Sequence, residues 1–229
     1  MKTIVITGAL GYIGTELCKL YSGFSWKYEI IAIDNRFVSE RVNELKRRKI
    51  KFIQADILNF DEIKPYIQKA EVVHHLAGIT DVAYVKKDSN PEQDEKIKKV
   101  AIEGTDNVLN SMNSNSTIVF PSTHVVFEGL KEPKKDIDEN EKTDTFLAYS
   151  SSKVENENQI VKSGKKHVIF RLGSVYGFST DTMRINIMPN LFSKIASQNG
   201  TINLFSGGKQ IKSLVPLIDV ARCMKFMAE

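Results

Sequence analysis

Thr3-Ile4-Val5-Ile6-Thr7-Gly8-Ala9-Leu10-Gly11-Tyr12-Ile13-Gly14 opens the chain, and its reading decides the fold. Thr3-Ile4-Val5-Ile6 is short, β-branched and apolar, as a strand buried on both faces must be. Beyond the glycines, Ile13, Leu17, Leu20 and Tyr21 recur at helical spacing. The glycines therefore sit at a strand-to-helix turn. There they permit a tight bend, close approach of the backbone to a pyrophosphate, and close packing of helix on strand. The free N–H groups and positive dipole end of the helix can then hold phosphates. The spacing is GxxGxxG rather than GxGxxG, so a turn without a ligand is the competing reading.

Downstream residues favour the ligand. Asp34 closes the apolar run Ile30-Ile31-Ala32-Ile33, twenty residues past Gly14. An acidic side chain there accepts hydrogen bonds from an adenosine ribose and repels a 2′-phosphate, which favours NAD over NADP. Arg36, two residues on, argues the other way. Further along, Tyr149-Ser150-Ser151-Ser152-Lys153 places a phenol and an amine one helical turn apart, on the same face. Strand and helix patterns alternate between these landmarks. Strands are expected near 3–7, 29–34, 51–55, 72–76, 117–121 and 167–172, which implies an α/β doubly wound parallel sheet.

Composition narrows the class. The 229 residues are 41% apolar, enough for one sizeable core. The net charge of +4 comes from 32 basic and 28 acidic residues, a near balance. Lys46-Arg47-Arg48-Lys49 reads as a solvated helix end rather than a nucleic-acid site. Cys18 and Cys223 are far apart, so no disulfide framework is expected. No apolar stretch approaches the roughly 18 residues a membrane span needs. This sequence starts directly on a core strand, so no signal peptide and a cytoplasmic location are the expectations. The charged stretch 128–145 has no apolar period. Beyond 180 the expected order is a helix (185–196), a short strand (201–205), a glycine turn at Gly207-Gly208, and a segment at 214–219 returning to the main sheet before a last helix.

With these positions in place, the chain resembles an extended short-chain dehydrogenase/reductase of the NAD-dependent nucleotide-sugar epimerase/dehydratase group. The resemblance rests on Thr7-Gly8-x-x-Gly11-x-x-Gly14, Asp34-Asn35, Asp56-Ile57, His75-Leu76-Ala77-Gly78, Gly104-Thr105, Ser122-Thr123, Tyr149-x-x-x-Lys153, Arg171-Leu172-Gly173-Ser174-Val175-Tyr176-Gly177 and Asp219-Val220-Ala221. It implies a Rossmann domain over residues 1–179 and a small, shortened substrate-binding subdomain over 180–229, with about 214–229 returning to the main domain. It also implies an NAD site formed by Gly8, Gly11, Tyr12, Ile13, Gly14, Asp34, Asn35, Asp56, Ile57, Leu76, Ala77 and Gly78, together with Tyr149 and Lys153. Thr80, Ser174 and Lys212 are the implied substrate contacts. Departures fall on the substrate side. Ala101 stands where the group has Asn, Ser174 where it has Asn, Phe178 where it has Pro, and Lys212 where an Arg pairs with the diphosphate. The chain also ends at Glu229, short of the group's usual length.

The expected chemistry follows from the residues. A free phenol titrates near 10, and bringing Tyr149 to about 7 takes about 4 kcal/mol. The Lys153 ammonium and a bound nicotinamide cation are the expected sources. Tyr149 then takes a proton from a substrate hydroxyl, and Thr123 holds the same oxygen. His124-Val125 stands where dehydratases of the group carry Asp-Glu, which disfavours a standard dehydratase. His74 and His75 point to opposite faces of a strand and cannot share a metal ion, and no metal site is expected. The expectation is therefore an NAD-dependent nucleotide-sugar epimerase acting through a transient keto intermediate. The alternatives are an NAD-dependent dehydrogenase or reductase on a nucleotide sugar or related alcohol, and a non-catalytic dinucleotide-binding protein. The expected partner is a small-molecule substrate, a nucleotide sugar, with no nucleic acid and no membrane; a homodimer stays open.

Overall fold

The computed structural model describes residues 1–80, 90–132, 134–180, 182–209 and 211–229. Six parallel strands form one sheet in the order β3-β2-β1-β4-β5-β6. They are β1 (Lys2–Thr7), β2 (Tyr28–Asp34), β3 (Lys51–Gln54), β4 (Val72–His75), β5 (Thr117–Thr123) and β6 (Lys166–Leu172). The order reverses between β1 and β4, and the crevice that opens there at the carboxyl ends is where such sheets bind ligands.

Strand side chains alternate between two cores. Ile4 and Ile6 of β1 join Leu17, Cys18 and Tyr21 of α1 (Tyr12–Ser22), Val42 and Leu45 of α2 (Ser39–Arg47), and Val220, Ala221 and Met224 of α7 (Leu217–Phe226). Val5, Ile31 and Ile33 face the other way. They meet Ile63 and Ile67 of α3 (Phe60–Ile67), Val108 of α4 (Pro91–Ser111) and Ile160 of α5 (Ala148–Lys162). Burial on both faces is why these strands read as near-continuous apolar runs. Among the described residues, no helix is long and apolar enough to cross a membrane.

The adjacent histidines of β4 show the same alternation. His74 Nε2 meets Tyr21 Oη at 2.8 Å on the α1 side. His75 lies on the α4 side, between Thr7 Oγ1 at 2.9 Å and Thr105 Oγ1 at 3.0 Å. Gly104, beside Thr105, allows α4 to approach Ile57, whose Cδ1 would lie 2.4 Å from an added Cβ. These contacts account for the Gly104-Thr105 pair.

Three expectations need correction. Residues 201–204 are exposed and pair with no strand among the described residues, so the anticipated strand at 201–205 is absent. Without a buried face, alternation has nothing to pack against. Leu214–Pro216 (β8) does not join the main sheet. It pairs in parallel with β7 (Ser174–Tyr176) in a separate two-stranded sheet. The helix expected from 185 begins at Met188 (α6, Met188–Ser197), where Pro189 lies in the first turn.

Burial holds both histidines neutral, at about 3. The unfolded chain protonates them near 6.5. It therefore binds more protons between about 6.5 and 3, and stability falls as pH drops through that window. His74→Gln keeps a partner for Tyr21 and removes one titration. Its stability, read by urea unfolding between pH 6 and 4, should fall less steeply than the wild type's by about 1.4 kcal/mol per pH unit. Equal slopes would show that His74 is charged in the fold.

Candidate active site

A cleft of about 1730 Å³ runs along the carboxyl ends of the strands, from Asp34 past the glycine turn to Thr123, Tyr149 and Lys212. At its near end Gly8 has φ +67°, and an added Cβ would lie 2.7 Å from Ala77 N. A Cβ on Gly14 would lie 2.4 Å from Gly8 O. Only glycine lets β1, α1 and the end of β4 come this close. Helix α1 then starts at Tyr12 with Gly11 as its cap and no capping side chain or acidic residue in its first turn. Its N-terminal N–H groups remain for an anion.

Asp34 closes the turn. Its side chain is 4% exposed and accepts from Leu10 N at 3.0 Å. Arg36 donates to it through its main-chain N at 3.1 Å and through Nε at 3.1 Å. Arg36 is therefore paired with Asp34, which weakens the one argument for NADP. Asn35 Nδ2 donates to Asp56 Oδ2 at 3.0 Å, and Asp56 Oδ1 accepts from Leu58 N. With Ile57 these residues line the far wall, facing Leu76, Ala77 and Gly78 after β4. A glycine cradle, an open helix N-terminus and a buried acid twenty residues on fit a dinucleotide with a free ribose 2′-OH.

At the other end, β5 runs two residues further than expected and carries Thr123 to its tip. Tyr149, half-buried, lies in the first turn of α5 and beside Thr123, with Lys153 one turn on. Burial raises the Tyr149 phenol above its ordinary value, opposed by the Arg184 guanidinium and a hydrogen bond with Thr123. The expected aid from Lys153 is not what opposes burial here. Its Nζ donates to Pro121 O at 2.9 Å and lies 4.3 Å from the Phe120 ring centroid, against 6.0 Å for Tyr149. Burial lowers Lys153 to about 8, with Glu157 acting against the drop.

His124 lines the cleft, but its Nδ1 is bonded to Leu172 O at 2.9 Å. Asp34, Asp56 and Glu128 are the carboxylates lining the cleft among the described residues. Glu128, the one at the Tyr149 end, is engaged through one of its two oxygens. Its Oε1 accepts from Phe146 N, Leu147 N and Ser150 Oγ, and so ties the segment entering α5 to the helix's first turn. No group of three or more metal-ligating side chains occurs among the described residues.

Thr80, Ser174 and Lys212 border the same cleft. Ser174 is fixed by its N–H to Ser213 O at 2.8 Å, and Thr80 O accepts from Arg184 Nη2 at 3.3 Å. Sequence reading missed Arg184 and Asn190. The Tyr12 phenol reaches away from the glycine turn and donates to Gly177 O. Asn190 accepts from Gly177 N at 3.1 Å and donates to Arg184 O at 2.9 Å. Gly177 has φ +134°, a conformation that explains the glycine closing its motif. No local pattern announces a contact between residues 12 and 177. Only the fold creates it.

The family model for the NAD dependent epimerase/dehydratase family matches residues 4–229. The chain belongs to this family. It is of the extended short-chain dehydrogenase/reductase type, the family's cofactor is NAD, and the residues above fit that cofactor. Over 201 residues the chain is 26% identical to CDP-paratose 2-epimerase of Salmonella typhi, covering 76% of this chain and 57% of that protein. It spans 29% and 38% of the length of two further curated relatives that it matches. Among solved structures, UDP-glucuronic acid 4-epimerase from Bacillus cereus, in complex with UDP-glucuronic acid and NAD, superposes with a TM-score of 0.82 at 22% identity. That match covers 99% of this chain and 73% of the other. dTDP-glucose 4,6-dehydratase from Bacillus anthracis, in complex with NAD, gives 0.81 at 16% identity, covering 100% and 72%. An epimerase and a dehydratase match the fold equally, so fold alone does not choose between them.

Asp34→Asn keeps an acceptor for Leu10 N, removes the carboxylate charge and releases Arg36. Titration of both cofactors should show the NAD-over-NADP affinity ratio falling at least about tenfold. An unchanged ratio would mean that the ribose does not lie on Asp34.

Proposed function

We propose that this protein is an NAD-dependent nucleotide-sugar epimerase acting through a transient ketone of the substrate. One observation carries the choice. Thr123 and Tyr149 adjoin at the cleft's inner end, where the only lining carboxylate among the described residues, Glu128, is bonded through Oε1 to the segment leading into α5, and no carboxylate follows Thr123 directly. Loss of water from the sugar needs a second acid or base, and His124 and Val125, which directly follow Thr123, supply no carboxylate for it. Removal and return of a proton at one hydroxyl needs only Tyr149.

In this reading residues 1–179 hold the cofactor and 180–229 the sugar nucleotide, with 214–229 returning along α1. When bound, NAD supplies a hydride acceptor and donor. Thr123 Oγ1 holds the substrate oxygen, and Tyr149 Oη takes its proton and later gives it back. Lys153 keeps a positive charge behind the phenol, and Arg184 adds one from the substrate side. Thr80, Ser174 and Lys212 line the region left for the sugar nucleotide. Lys212 would meet a diphosphate as a point charge, without the fork of an arginine.

The test incubates the protein with NAD and a panel of nucleotide sugars, following sugar stereochemistry by NMR together with NADH absorbance. The expected result is an epimer with no accumulating NADH. Tyr149→Phe should still bind NAD and lose at least about a hundredfold in rate. A keto product with stoichiometric NADH would assign a dehydrogenase instead. A dehydrated sugar would assign a dehydratase.

A further inference from the structure

Tyr149, Lys153 and Glu157 follow one another at four-residue intervals on α5, so three ionisable side chains share one helix face. Glu157 does not line the cleft. Its buried carboxylate is held by a two-pronged contact from Arg171, with Nη2 to Oε2 at 2.8 Å and Nε to Oε1 at 3.1 Å. Ser122 Oγ donates to the same Oε1. Arg171 Nη1 donates to Glu139 O at 3.1 Å. Ser122 precedes Thr123, and Arg171 precedes Leu172, the register partner of Thr123. One carboxylate therefore ties the ends of β5 and β6 to α5, a single turn beyond Lys153.

The surroundings of Lys153 make that position matter. On its own helix it faces Tyr149 and Glu157. From β5 come the Pro121 carbonyl and the Phe120 ring, neither of them charged. From β4 comes His75, which burial keeps neutral. On α4, Asp106 is engaged by Gln159 Nε2 at 2.8 Å, further along α5. Arg171 reaches toward Lys153 only through Glu157, and Arg184 acts on Tyr149 from the opposite wall. Glu157 is thus the anion whose field offsets the burial of Lys153.

We infer that Glu157 and Arg171 are positioning residues that set the charge on Lys153: Glu157 holds its proton, and Arg171 limits how strongly it does so. The importance of a charged Lys153 rests on the proposed function, but its protonation state does not. The two halves of the pair make opposite demands. Without the Glu157 charge, burial is unopposed and Lys153 loses its proton at lower pH. Without the Arg171 charge, the Glu157 anion is uncompensated and the proton is held to higher pH. A pair that served only to pin strands to helix would give no such opposition, because either substitution breaks the same contact.

The experiment follows the ε-carbon of Lys153 by NMR in lysine-labelled protein without cofactor or substrate, with Lys153→Met identifying the signal. In Glu157→Gln the titration midpoint should move down by about one pH unit, and in Arg171→Gln up by a similar amount. The Glu157→Gln/Arg171→Gln double variant removes both charges, and its midpoint should lie between those of the single variants. If one single variant fails to fold, the other and the double variant still test the sign. Midpoints that stay put, or that move together in one direction, would overturn the inference and leave the pair as a structural pin. No turnover enters the readout, so a wrong substrate class and a wrong role for Glu157 give different results.

Discussion

The close approach of the glycine turn to the end of β4 is the constraint on which the rest of the molecule depends. Gly8 sits against the main chain of Ala77, and Gly14 against the carbonyl of Gly8. This places the first turn of α1 directly over the crevice and brings Leu10 N within reach of Asp34. It also aims Tyr12, the first residue of α1, across the cleft at Gly177. From Gly177 the contacts run through Asn190 to Arg184. The segment that carries Arg184 therefore hangs from the same turn that would hold the cofactor's pyrophosphate. Family membership explains why such a turn is present. The steric contacts explain why glycine must form it.

Electrostatically, the inner end of the cleft is a balance between burial and a few placed charges. Burial moves Tyr149 and Lys153 toward their neutral forms, up for the phenol and down for the amine. Arg184 and the Thr123 hydroxyl act against burial at Tyr149, and Glu157 acts against it at Lys153. At about 8, Lys153 lies close enough to neutrality for small changes in its surroundings to alter its charge. In the proposed reaction, a phenol that must gain and release a proton benefits from such a poise, because neither state is fixed too firmly. Glu128 has a different job, since three donors hold it at the start of α5, where it sets where the helix carrying Tyr149 begins.

Much of this arrangement was legible in the sequence because it is local. The six strands of the main sheet announce themselves as β-branched apolar runs, the glycine spacing and the Tyr149–Lys153 pair depend on neighbours a few residues away, and Asp34 stands at the end of the very next strand. The illegible parts depend on contacts between distant segments. Arg184 gains its importance from Thr80 and from two tyrosines far along the chain. Leu214–Pro216 reads as a strand, but its partner is set by where β7 leaves the main sheet. The stretch 201–204 has strand-forming residues and no face to bury. Lys153 lies on the same helical face as Tyr149, as the spacing requires, yet the Pro121 carbonyl decides where its ammonium goes.

A crystal structure of the protein with NAD bound would show directly whether the cleft seats the cofactor as proposed. The pyrophosphate should lie over the N-terminus of α1 between Gly11 and Gly14, with the adenosine ribose bonded to Asp34. The nicotinamide end should then lie beside Tyr149 and Lys153. A dinucleotide bound in the reverse direction, or held away from Asp34 with Arg36 turned onto the ribose, would contradict this placement.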